Sequence, residues 1–90
     1  MAPRISVVMP VWNGERYIAE ALNGIFTQTL DDFELIVVDD GSTDATPDIL
    51  KSYSDSRLRV HRLDHAGIVM ALNHGVSRAR AEWIARRKEG

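Results

Sequence analysis

There is no cysteine anywhere in the 90 residues, so the chain has no disulfide framework, no thiolate nucleophile and no Cys-type zinc site. That composition fits a reducing compartment. No stretch approaches the ~20 consecutive apolar residues of a membrane span. The opening Met-Ala-Pro-Arg-Ile also lacks the apolar core of a secretory signal. Both absences predict a soluble cytoplasmic chain, or the soluble part of a larger one. Glycine-rich phosphate cradles are missing too. Neither G-x-G-x-x-G nor G-x-x-x-x-G-K-[ST] occurs, which argues against a dinucleotide dehydrogenase and a P-loop NTPase. A domain of this size buries only about 60–65% of its unfolded surface, which leaves little room for a separate substrate domain or a lid.

A large excess of one charge is also lacking. The formal net charge is −2, from 11 basic and 13 acidic side chains, and gives no argument for nucleic acid or an anionic membrane. The distribution is uneven, however. Residues 1–55 carry three basic and ten acidic side chains, and residues 56–90 carry eight and three. Halves of opposite sign are expected to neutralise each other across the fold. The basic cluster Arg78, Arg80, Arg86, Arg87 and Lys88 has no interleaved aromatics, so it reads as a solvated face rather than a nucleic-acid surface.

The apolar residues fall into an alternating pattern. Ile5-Ser6-Val7-Val8-Met9 is a β-branched run without alternation, the mark of a strand buried on both faces. This is β1, residues 5–9. From Glu15 onward Tyr17, Ile18, Ala21, Leu22, Ile25 and Phe26 make a helical stripe, α1, ending near Gln28. Residues 33–38 repeat the buried-strand pattern as β2 and run into the turn-rich Asp39-Asp40-Gly41-Ser42-Thr43-Asp44. Thr46-Pro47-Asp48 reads as a helix start, with Thr46 as the hydroxyl cap of α2, which runs to about Tyr53. Residues 58–63 alternate and predict a strand nearer a sheet edge, β3. Ile68, Ala71, Leu72, Gly75, Val76 and Ala79 predict α3, and Trp83-Ile84-Ala85 starts β4. Such alternation predicts an α/β fold of parallel βαβ units. The expected sheet order is 3-2-1-4, half of a doubly wound, Rossmann-like sheet, with a ligand crevice between β1 and β4. Residues 1–90 are expected to form a single subdomain.

Two loops line that crevice: Pro10-Val11-Trp12-Asn13-Gly14-Glu15 and Asp39-Asp40-Gly41-Ser42-Thr43-Asp44. An acidic crevice suits a base rather than a bare phosphate, because a carboxylate accepts the imide N–H of uracil and a ring such as Trp12 can lie against a base or ribose. A plainer reading stands beside this one. Asp39 and Asp40 also suit Asx turns, Asn13-Gly14 a simple turn, Glu15 the α1 dipole and Trp12 a cover for the sheet end. His61, His65 and His74 have no spacing that puts two on one helical face, which predicts no metal site. Ser6 and Ser42 have no evident His-acid partners, so nucleophilic catalysis has no support.

Val8-Met9-Pro10-Val11-Trp12-Asn13-Gly14-Glu15, Glu34-Leu35-Ile36-Val37-Val38-Asp39-Asp40-Gly41-Ser42-Thr43-Asp44 and Gly67-Ile68-Val69-Met70-Ala71-Leu72-Asn73-His74-Gly75 occur in that order, followed by Ala79 and Trp83-Ile84-Ala85. Together they resemble the N-terminal part of family 2 glycosyltransferases of the GT-A fold, over nearly the whole chain. The resemblance implies a nucleotide-sugar donor, commonly a uridine diphosphate (UDP) sugar, and inverting transfer to an acceptor hydroxyl. It implies that Pro10, Val11, Trp12, Asn13 and Glu15 line a nucleoside pocket and that Asp40 accepts from the base. It further implies that Asp39 supports that loop and that Gly67 and Asn73 lie near the ribose or diphosphate. Family members hold a divalent cation, Mg²⁺ or Mn²⁺, with a D-x-D motif after the strand matching β4. Here Arg87-Lys88-Glu89-Gly90 stands in that place. The expectation is therefore that this chain binds no cation itself, lacks a catalytic base and does not turn over.

Two other classes are carried forward. One is a noncatalytic Rossmann-like module that self-associates through the open β4 edge or exchanges residues 82–90. The other is a nucleotidyltransferase, which ranks lower because its basic glycine-rich loop after the first strand is missing.

Overall fold

The structure, a computed structural model, describes residues 3–28 and 32–87. Strands β1 (Ile5–Val11), β2 (Phe33–Asp39), β3 (Leu58–Arg62) and β4 (Trp83–Arg86) alternate with helices α1 (Ile18–Phe26), α2 (Thr46–Lys51) and α3 (Ile68–Ser77). All pairings are parallel and the order is β3-β2-β1-β4, as the pattern predicts. β2 is central and all seven of its residues are buried, which is why Leu35 to Val38 follow one another without polar alternation. Phe33, Leu35 and Val37 face a core shared with Met9, Val11, Leu22, Ile25 and Leu50, under α1 and α2. Ile36 and Val38 face Ala71 on the opposite side, under α3. Gly75 lets α3 approach closely, because a Cβ there would collide with Val8 Cγ1 and lie 3.1 Å from Val38 Cγ2. No described helix is long and apolar enough to cross a membrane.

Two helix starts differ from the sequence pattern. α1 begins at Ile18 rather than near Glu15, since Gly14 to Tyr17 form a turn in which the Tyr17 and Ile18 amides both donate to the Gly14 carbonyl. Thr46 is the first residue of α2, not its cap. Its hydroxyl instead accepts the Gly14 amide at 2.9 Å, and its own amide donates to Asp44 Oδ1 at 2.9 Å. At Thr46 a long-range contact between the first two loops overrides the local signal. α2 also ends at Lys51, and Tyr53 turns its hydroxyl toward the Ala19 carbonyl and Asn23 Oδ1 on the helix beside it.

The uneven charges do meet. Glu34, 1% exposed, is a charged side chain near the start of the buried run of β2, which ends on a second one, Asp39. It accepts the Ser6 hydroxyl, the Arg59 guanidinium at 2.8 Å, and the Arg80 amide and side chain at 2.7 and 3.0 Å. Ser6 Oγ in turn accepts the Ala81 amide at 3.0 Å, so one carboxylate ties β1, β2, β3 and the α3–β4 connection together. Burial pushes the Glu34 carboxyl up, but hydrogen bonds from Ser6, the Arg80 amide and the two guanidinium groups outweigh it and hold the carboxyl at about 2, against an ordinary 4.5. A folded value below the unfolded one stabilises the fold at pH above the ordinary value, and that contribution is lost as pH falls toward the folded value. Glu34→Gln is expected to lower stability at neutral pH by about 2–3 kcal/mol and to flatten its pH dependence on the acid side. Urea unfolding followed by circular dichroism across that range checks this; an unchanged acid limb contradicts it.

Candidate functional site

Parallel strands deliver their following loops to one end of the sheet, and here three loops meet there. After β1, Asn13 takes a left-handed backbone, φ 51°. Its amide donates to Ser42 Oγ and its side-chain oxygen accepts the Thr43 amide, both at 2.8 Å. The Glu15 amide donates to Asp44 Oδ2 at 3.2 Å, and Glu15 Oε2 accepts the Ala45 amide at 3.3 Å. The two loops are thus stitched reciprocally. Burial opposes the charge on Asp44, but the Thr46 hydroxyl and the amides of Thr46 and Glu15 hold its carboxyl below the ordinary range.

Asp39 and Asp40 have divided roles. Asp39, buried, points away from the crevice; it accepts the Ser42 amide at 3.0 Å and the Arg62 guanidinium at 2.7 Å, while Arg62 also donates to the Ser42 carbonyl. Asp40, also buried, points to the third loop, where Oδ1 accepts the Ala66 amide at 2.7 Å and Oδ2 the Gly67 amide at 2.9 Å. An ionised carboxylate offers about four acceptor positions, so Asp40 keeps acceptor capacity. Gly41 makes this approach feasible: its φ is +76°, and a Cβ there would lie 2.7 Å from the His65 amide nitrogen.

Between the loops lies a cavity of about 400 Å³, open to solvent, lined by Pro10, Val11, Trp12, Asn13, Tyr17, Asp40, His65, Gly67, Ile68 and Ala71. Six of the residues singled out from the sequence meet there: Pro10, Val11, Trp12, Asn13, Asp40 and Gly67. Asp39 stands behind the wall, Glu15 lies on the outer loop, and Asn73 is exposed on α3. Tyr17, His65, Ile68 and Ala71 complete the wall and escaped the sequence reading. A turn at 64–67 was visible in the sequence, but nothing local aims His65 at Trp12. The rings stack at 4.7 Å between centroids and 28° between planes. α3 begins beside the cavity with Gly67 as its N-cap and no side-chain cap.

His61 and His74, unlinked by spacing, meet across β3 and α3 with ring centroids 5.3 Å apart. Burial, then Arg59, His74 and Arg78, push His61 below its ordinary value. Among the described residues no group of three or more His, Cys, Asp or Glu is placed to hold a metal ion. Asp40 is the only carboxylate among the described residues that line the cavity, and the other acids of the two loops are engaged with backbone amides and Arg62, so the described residues do not make up a divalent-cation site. Arg87 follows β4, its amide donating to the Val8 carbonyl at 2.8 Å; residues 88–90 of the expected basic replacement lie outside the described residues.

The comparisons with known proteins agree with one another. A family model described as glycosyl transferase family 2 matches residues 6–86. Glycosyltransferase GlyG of Streptococcus pneumoniae is 40% identical over 87 residues, 93% of this chain and 29% of the relative. A PGL/p-HBAD biosynthesis glycosyltransferase of Mycobacterium tuberculosis is 38% identical over 86 residues, 92% of this chain and 34% of the relative. Among solved structures, S. aureus TarS 1–349 in complex with UDP-GlcNAc superposes with a TM-score of 0.88 at 33% identity, covering 94% of this chain and 26% of that one. The mannosyltransferase PcManGT from Pyrobaculum calidifontis, in complex with GDP-Man and Mn²⁺, gives 0.77 at 30% identity, covering 88% and 25%. The chain therefore spans a quarter to a third of each of these proteins.

Asp40→Asn tests the clamp on the third loop. An amide side chain has one acceptor oxygen for two backbone donors, and an unsatisfied buried donor costs about 1–3 kcal/mol. Amide exchange at Ala66 and Gly67, read by NMR, is expected to accelerate about tenfold or more; unchanged exchange contradicts the clamp.

Proposed function

The chain belongs to glycosyl transferase family 2, and on that premise we propose that it is the nucleotide-binding subdomain of an inverting glycosyltransferase. The enzyme transfers a sugar from a nucleotide diphosphate donor, a UDP-sugar, to an acceptor hydroxyl. The observation that carries the reading is the convergence of Trp12 and Asp40 on one cavity at the carboxyl ends of β1 and β2. The spare lone pairs of Asp40 take the imide N–H of uracil, Pro10 to Asn13 wall the nucleoside, and Gly67 at the uncapped start of α3 lies toward ribose and diphosphate. Asp39 and Glu15 act on the nucleotide indirectly, by holding the loops, and Asn73 sits between one and two turns further along α3. The UDP-GlcNAc complex of TarS, a structural neighbour, supports a uridine donor.

In an inverting displacement the acceptor oxygen bonds to the anomeric carbon, the bond to the diphosphate breaks, and the hydroxyl proton passes to a base. This chain's part is to bind and orient the nucleotide. Asp40 is the only carboxylate among the described residues lining the cavity, and two backbone amides hold it. We therefore assign the base, and the cation that would balance the diphosphate, to residues other than these, and propose that the chain does not turn over by itself.

Titrating ¹⁵N-labelled chain with UDP, with and without Mn²⁺, tests the reading. Shifts confined to residues 10–17, 39–44 and 65–71, the same in both series, are expected. No shifts at millimolar UDP, or shifts centred on β4, contradict it.

A second reading rests on β4. All four of its residues are exposed, Trp83 at 67% and Ile84 at 42%, on a strand with an unpaired edge among the described residues. Such an edge pairs readily with another strand, which supports a noncatalytic module that self-associates. Sedimentation velocity is expected to show a concentration-dependent dimer that Ile84→Lys abolishes; a sharp monomer at high concentration removes this reading.

A further inference from the structure

The His65 ring is not accounted for by the loop stitching or by the nucleoside reading above. Its backbone is left-handed, φ 40°, a conformation uncommon for residues other than glycine, though histidine and asparagine adopt it more readily than most. Its position is nevertheless tightly set from three sides. The flanking Ala66 and Gly67 amides are held by the Asp40 carboxylate. Gly41 packs against the His65 backbone and Cβ. The ring nitrogen Nδ1 lies 3.1 Å from the Asp40 carbonyl oxygen. A carbonyl only accepts, so this bond places the proton on Nδ1 and fixes the ring plane. The ring so fixed covers part of Trp12, which remains 50% exposed at the cavity.

An exposed indole at a loop tip otherwise samples several rotamers, and ordering it on ligand binding costs affinity. A stacked partner whose backbone and ring nitrogen are both held removes that cost in advance. We propose that His65 is a positioning residue of the nucleotide site: it holds the Trp12 ring in place as the platform against which the base of the nucleotide stacks. The inference rests on the nucleotide-binding reading of the cavity and adds to it a residue outside the loops that carry the family resemblance.

The test uses the full chain with Trp83→Phe as the parent, so that Trp12 is the only indole. His65→Asn keeps the left-handed backbone and removes the stacking ring, and His65→Tyr keeps a ring. Fluorescence anisotropy of Trp12 without ligand reads its order directly, and UDP titration reads its consequence. His65→Asn is expected to lower the anisotropy and weaken UDP binding about two- to tenfold, the range of one aromatic pair. His65→Tyr, which keeps a ring but not the Nδ1 bond, is expected to recover part of both, which a purely structural loss would not. Unchanged anisotropy in His65→Asn overturns the proposal. So does a parent that binds UDP as tightly as its His65→Asn variant, a result that leaves the nucleotide reading standing. A parent that binds no UDP overturns both.

Discussion

The arrangement of the crevice depends on the Asp40 carboxylate being shared between two backbone amides of a loop 26 and 27 residues further along the chain. β2 ends at Asp39 and would release its loop to solvent. The bonds to Ala66 and Gly67 instead bring the start of α3 over the end of the sheet. They also set the His65 backbone against Gly41 and so bring the ring to Trp12. A buried carboxylate is tolerated there because both of its oxygens are hydrogen-bonded to fixed backbone amides. One group therefore shapes the cavity and keeps acceptor positions for what enters it.

Around that clamp, most of the polar residues of the first two loops hold each other. Asn13, Ser42, Thr43, Asp44, Glu15 and Thr46 exchange hydrogen bonds across the loops, and Arg62 braces the Asp39 turn from β3. A rigid pair of loops leaves few groups to meet a ligand: the Trp12 and His65 rings, the apolar wall, and the unused lone pairs of Asp40. The Glu34 network does comparable work within the sheet, tying the α3–β4 connection to the three strands ahead of it.

Strand order and layering were legible because alternating strand and helix patterns with short connections leave few topologies, the apolar run Leu35 to Val38 in β2 requires cover on both faces, and the alternation of β3 suits an edge. The loop motifs were legible as motifs, but the division of labour between Asp39 and Asp40 was an expectation of the family resemblance and not of the local residues. Asp39 and Asp40 are adjacent and chemically identical, and only the direction of each side chain in three dimensions separates a brace from a cavity wall. Thr46 has every local mark of a cap, yet its hydroxyl answers Gly14. His65, and the pairing of His61 with His74, arise from crossover geometry that no spacing in the sequence encodes.

A crystal structure of the chain grown with UDP tests the central claim most directly. The account predicts uracil in the cavity above β1 and β2, its ring against Trp12 and its imide N–H on the Asp40 carboxylate, with the Ala66 and Gly67 amides still bound. Nucleotide seated elsewhere, or in that cavity with Asp40 turned away from both the base and the third loop, contradicts it.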